Sequence, residues 1–181
     1  MTENEFTDEY SKKLQALTER AKKAVGNLTE AQLNHKMPEW YWTVGQITGH
    51  MIKSHDTYLQ ALEPKVSDLS AGGSGTIKRS LFGKLVAWGV GPSGKVSAPR
   101  VVYPDPTPAT KELAQRFIQQ TTRIAELCDH LKGKNLDVRV PNPFNNGLKQ
   151  TLPDSIVILE RHLERHIGQI EWLTGLPSFP K

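Results

Sequence analysis

The sequence predicts an all-α fold, a four-helix bundle with long connections between helices. Four stretches repeat apolar residues at helical spacing over several turns each, and the proline-rich stretches fall between them. Size agrees: 181 residues can bury one sizeable core without disulfides or metal to hold it. Four amphipathic segments bury their apolar faces most economically against one another. Neither long connection reads as a boundary and no internal repeat divides the chain, so one domain over residues 1–181 is expected.

The first helix is expected from Phe6, with Tyr10, Leu14, Leu17, Ala21, Ala24, Val25 and Leu28 on one face. Thr2 with Glu5, Thr29 with Gln32 and Thr43 with Gln46 all have capping-box spacing, but only the last directly precedes a long periodic segment, so the second long helix starts at Thr43. It turns Val44, Ile47, Met51, Tyr58 and Leu62 inward and is expected to stop before Pro64. The third opens with Pro108 in its first turn and runs through Leu113, Phe117, Ile124, Leu127, Cys128 and Leu131 to Gly133 and Lys134. The fourth begins near Pro153 and ends before Gly175, with Pro177 beyond.

Two connections are long. Residues 64–107 are rich in Gly, Ser and Pro, and within them IKRSLFGKLVAW, Ile77 to Trp88, has the pattern of a short helix that covers a site or supports a dimer contact. Residues 133–151 include VRVPNPFNNG, whose NNG reads as a turn.

Several classes are excluded. No apolar run approaches the length of a membrane span, and 77–88 lacks the basic amphipathic face of a membrane-surface helix. The net charge of +4 is concentrated around Lys78, Arg79, Lys84, Lys95 and Arg100, a loop patch rather than a stripe, and no nucleic-acid-binding motif accompanies it. MTENEFTDEYSKK is acidic where an export signal would be basic and then apolar, and Cys128 has no partner for a disulfide. The cytoplasm is the expected compartment. Cys128, on an apolar helical face, reads as buried and inert.

The chemistry concentrates in ILERHLERHIGQIEWL, Ile158 to Leu173. Ile158, His162, His166 and Ile170 form one stripe at spacing four, so two imidazoles interrupt an apolar face one turn apart. A buried imidazole without partners costs about 1–3 kcal/mol. Two readings answer this: ordinary hydrogen-bonded core histidines, or a shared divalent metal with neutral imidazole ligands. His50 on the second helix, beside Ile47, Met51 and Tyr58, is the best third ligand, and three protein ligands would leave the ion open to water or substrate. His55 follows about 140° around the helix at roughly 100° per residue and is expected to face elsewhere. HLERH is not a zincin signature, because Glu164 stands two residues from each histidine and points away. No general base is evident, so the catalytic residues are unknown. Gln46 and Gln169 are placed to orient ligands from a neighbouring shell, but read rather as packing or solvent contacts, and Trp40, Trp42 and Trp172 read as packing at the helix ends.

The motif order W-x-V-G-Q-I-x-x-H, Trp42 to His50, then H-x3-H-x2-Q-I, His162 to Ile170, resembles the DinB/YfiT-like superfamily. The resemblance extends over nearly the whole chain, including the long second connection and the terminal LTGLPSFP. It implies an up-down-down-up bundle, commonly a homodimer, with a divalent metal held at the positions of His50, His162 and His166. It also implies thiol-dependent transfer or isomerisation in some relatives, with bacillithiol, mycothiol or glutathione as co-substrate. Zinc is the default ion, with nickel, iron and manganese compatible with the same ligands. The expected partners are therefore a small thiol and an electrophilic substrate. The alternative is a non-catalytic dimeric binding or stress-associated module with structural or adventitious metal.

Overall fold

The computed structural model describes residues 1–38 and 40–181. The described residues form six α-helices and one small sheet: α1 Glu3–Val25, α2 Glu30–Asn34, α3 Val44–Ser67, α4 Leu81–Val90, α5 Lys111–Asp129, β1 Arg139–Asn142, β2 Asn145–Thr151 and α6 Leu152–Gly175, with a 3-10 turn at Arg100–Val102. The four long helices are α1, α3, α5 and α6. Helix α1 packs on α5 and α6, and α3 packs on the same two. Phe6, Leu14, Ile47, Met51, Phe117, Ile124, Leu163 and Ile167 are all buried in the shared core.

All three capping boxes form, each serving its own helix. Thr2 caps α1 directly, so that helix starts at Glu3 and stops at Val25, with Leu28 packed on the core from outside it. Thr29 caps the short α2, which apolar periodicity did not reveal because it spans five residues. Thr43 caps α3 as expected.

Other features differ from expectation, among them the end of α5 at Asp129 rather than at Gly133 and Lys134. Helix α3 runs through Pro64 to Ser67: the proline removes one donor near the helix end, and Val66 still packs against the core. Pro108 lies before α5, whose N-cap is Thr110, because Asn34 pairs with the backbone of Ala109 in both directions, Oδ1 accepting from N–H and Nδ2 donating to the carbonyl. The fold also contains strands. Antiparallel β1 and β2 pair Val140 with Gln150 and Pro141 with Lys149, and the turn falls at Pro143–Phe144 rather than at NNG. Asn142 causes the shift, because its Oδ1 accepts from the Phe144 N–H and closes the chain ahead of NNG.

The two long connections are tied to the helices by buried carboxylates. Glu3 accepts from the backbone of Gly73 and Gly75 through one oxygen and from Leu136 through the other. Asp154, in the first turn of α6 and fully buried, accepts from Arg79 Nε, Ser80 N–H and Ser80 Oγ. Burial alone would raise the Asp154 pKa, but the hydrogen bonds from Ser80 and Thr151 outweigh it and hold the carboxyl below its usual value. Asp154 thereby pins the start of α4 to the start of α6. Only glycine fits at Gly83, where a Cβ would stand 2.1 Å from the Asp154 Cγ.

Candidate metal centre

Helix α3 delivers His50, and successive turns of α6 deliver His162 and His166 to the same place. One ring nitrogen from each lies within 4.8 Å of the others. The rings stand edge to face, His162 and His166 4.6 Å apart between centroids and His50 and His166 4.9 Å. Because neighbours on one helix face sit one turn apart, two ligands come from α6 and only the third needs a tertiary contact.

The surrounding hydrogen bonds orient the lone pairs. His50 Nδ1 lies 2.8 Å from the Val102 carbonyl, which can only accept, so the proton is on Nδ1 and the Nε2 lone pair is free. His166 Nδ1 lies 2.7 Å from Gln169 Oε1, which fixes the same tautomer. His50 Nε2 then stands 3.4 Å from His162 Nε2. A four-coordinate zinc with nitrogen ligands at 2.0–2.1 Å separates its donors by about 3.3 Å, so this pair already has the spacing an ion requires. Partners that hold one ring nitrogen and leave the other free are what metal-ligating histidines use. The three side chains can therefore hold a divalent metal.

Burial keeps all three imidazoles neutral at pH 7. It pushes His166 down to about 3, helped by His50 and opposed by Gln169. It lowers His50, with the Val102 carbonyl working against it. It drives His162 well below the ordinary value, His166 adding to the effect.

His55 does not face away from the centre. It is fully buried with its ring 5.7 Å from that of His162. Its Nδ1 meets Gln120 Oε1 at 3.2 Å, and because the Gln120 amide donates to Ile52 O and Asp56 Oδ1, that oxygen must accept from His55. Among the described residues the His55 Nε2 has no hydrogen-bond partner. Rotation about an ideal helix axis had considered only its angle to His50, not its approach to α6.

The trio opens into a cavity of about 610 Å³, walled by α4, the 95–103 segment and the β1–β2 hairpin. Trp40, Trp42, Tyr58, Phe82, Phe144 and Ile158 supply apolar surface. Trp42 lies 5.0 Å from His50, ring to ring, and Trp40 packs at 5.5 Å on the half-exposed Trp172. Segment 77–88 thus contributes Phe82 and Val86 to a wall of the site. Arg165, between the two α6 histidines in sequence, donates through Nη1 to the carbonyls of Gly89 in the last turn of α4 and of Gly91 and Gly94 just past it. Glu164 turns away to Arg20, as its spacing required. Gln46 is occupied by the Thr43 cap. Buried Cys128, its thiol pushed up to about 12 by burial, lies outside the cavity lining.

Sequence reasoning set Gln169 aside in favour of packing or solvent contact, although its position three residues from His166 marks it as a partner. Arg165 was missed and carried no comparable signal, since a cation beside a histidine on an amphipathic helix is usually solvated. Searches of curated proteins and of solved structures found no match. A family model described as the DinB superfamily matches residues 13–170, a span that takes in all three histidines and both partners of His166 and His50, Gln169 and Val102. On that match, the chain belongs to the DinB superfamily.

Proposed function

We propose that this protein is a divalent-metal-dependent enzyme whose ion is held by His50, His162 and His166, and that it carries out thiol-dependent group transfer or a related hydrolysis. The direction of the lone pairs carries this reading: the Val102 carbonyl and Gln169 engage Nδ1 of His50 and His166, leaving both Nε2 atoms unprotonated, with that of His50 facing His162. A bound divalent ion would supply Lewis acidity, favouring a thiolate or hydroxide at neutral pH. The chain's own residues prepare the site for it. Burial keeps the imidazoles unprotonated, and aromatic side chains line the cavity beside them. Zinc is the leading ion, and nickel, iron and manganese suit the same ligands. The co-substrate is a low-molecular-weight thiol, with an electrophile as its acceptor.

The same reading takes residues 1–181 as one domain in which the four long helices form an up-down-down-up bundle, supported by the packing of α1 and α3 on α5 and α6. It takes the protein as a cytoplasmic homodimer. Support for a second copy comes from α4, where Leu81, Leu85 and Trp88 are exposed along one face.

A second reading is a non-catalytic dimeric binding or stress-associated module. It is favoured by one observation: none of the described cavity-lining residues is Asp, Glu or Cys, so the chain offers no carboxylate base or thiol nucleophile there. The test is elemental analysis of untagged protein beside His162→Ala, followed by a panel of thiols and electrophiles with and without metal. About one equivalent of transition metal, lost in the variant, supports the metal site, and metal-dependent turnover excludes the second reading. A parent that takes up no ion after reconstitution refutes the first.

A further inference from the structure

The cavity has a chemical bias that the metal trio alone does not explain. Its wall is aromatic and aliphatic, and the described residues lining it include two cations, Lys95 and Arg165, and no carboxylate. The histidines are neutral, so the side chains leave the cavity with excess positive charge even without an ion. Arg165 is the more informative of the two. Arg20 pairs with Glu164 and Glu171, and Arg79 with Asp154, yet half-buried Arg165 has no ion pair among the described residues. Backbone carbonyls accept from its Nη1 alone. They can satisfy a donor but do not neutralise its charge, and burial lowers the Arg165 pKa for that reason. Arg165 precedes His166 on α6, and its guanidinium is close enough for its charge to act on all three histidines of the trio.

Resting on the reading of this cavity as the substrate site, we infer that its substrate is an apolar-bodied anion, an alkyl or aryl carboxylate, with its headgroup near Arg165 and the histidines and its body against Trp42, Tyr58, Phe82 and Phe144. The anion supplies the counter-charge that Arg165 lacks, and the aromatic wall takes the body out of water. About 610 Å³ corresponds to roughly twenty water-sized groups, which leaves space for a thiol beside a medium-length chain. An alkylammonium would meet only like charge. A neutral alcohol would gain the wall but not the headgroup contact.

The test uses the full chain freed of metal by chelation, so that it does not depend on the ion. Octanoate, octanol, octylamine and acetate are titrated below micellar concentrations at pH 7, read by calorimetry and by fluorescence of the cavity tryptophans. Octanoate is expected to bind about tenfold or more tightly than octanol, with octylamine weaker than octanol and acetate not saturating. Arg165→Gln should erase the octanoate advantage while keeping octanol binding. Since Arg165 also holds the chain after α4, Arg165→Lys serves as the folded, charge-retaining control and should keep most of the preference. Octylamine binding as tightly as octanoate, or an octanoate advantage that survives in Arg165→Gln with Lys95→Gln, overturns the inference. Octanoate binding in a protein that takes up no metal would leave this inference standing and remove the metal reading. Metal uptake without any preference for octanoate would do the reverse.

Discussion

His166 Nδ1 lies 2.7 Å from Gln169 Oε1, so a glutamine one turn further along α6 decides which nitrogen of the histidine faces the cavity. Gln169→Leu removes that acceptor and leaves the helix intact. Metal affinity should fall about 10- to 100-fold, the range for loss of such a supporting partner, while Gln46→Leu leaves it unchanged. Nitrogen-15 spectra of the metal-free protein should show His50 and His166 protonated at Nδ1 in the parent and a mixture at His166 in Gln169→Leu. A parent with His166 protonated at Nε2 would refute the assignment.

Acid should unfold the metal-free protein earlier than its carboxylates require. Burial pushes His55 and His166 down to about 3, so between that value and the ordinary 6.5 the unfolded chain binds protons that the folded chain refuses. Stability therefore rises with pH across the window and is lost as pH falls below 6.5, by up to about 1.4 kcal/mol per unit for each such histidine. Urea unfolding at pH 7, 6 and 5 reads the slope. His55→Gln should flatten it by close to one proton, and a slope equal to the parent's would show that His55 is not excluded from protonation.

Two glycines should respond oppositely to alanine. At Gly83 the new methyl would meet the Asp154 carboxyl group, forcing α4 off α6 at a cost of about 1–3 kcal/mol. At Gly168, inside α6, nothing lies within 4 Å, and alanine should stabilise by about 0.5–1 kcal/mol through helix propensity. Thermal unfolding of the pair measures both. A neutral Gly83→Ala would mean that the contact between the helices yields easily.

Helix α4 buries Gly83 and Ala87 and turns Leu81, Leu85 and Trp88 outward. If that stripe joins two copies, Leu85→Glu with Trp88→Glu should convert a dimer to a monomer in sedimentation velocity without loss of helical circular dichroism. Unchanged dimer mass in the double variant would place the interface elsewhere.

The histidine trio was legible because an imidazole on an apolar stripe breaks a pattern, and because spacing on one helix translates directly into proximity. The rest of the site was not, for identifiable reasons. The partner of His50 is a backbone carbonyl in a 3-10 turn, and a carbonyl belongs to every residue alike. The unpaired state of Arg165 is a property of what surrounds it. His55 reached the site because α3 and α6 approach closely, which rotation within one helix does not report. The hairpin was hidden by competition between turn formers: NNG is the stronger local signal, but the Asn142 side chain closes the turn first. Helix ends, by contrast, followed their Thr caps wherever a box was present.

The facing pair His50 and His162 lies 112 positions apart along the chain. An ion shared between them ties the second turn of α3 to the middle of α6, closing a loop that includes α4, α5 and both strands. In the chain-entropy treatment of cross-links, a loop of that length restricts the unfolded state by roughly 4–5 kcal/mol. With one cysteine, the chain can make no such tie within itself from sulfur. Its ligand set would serve as a removable clasp, so that metal supply, besides governing chemistry, would govern how long the folded protein persists.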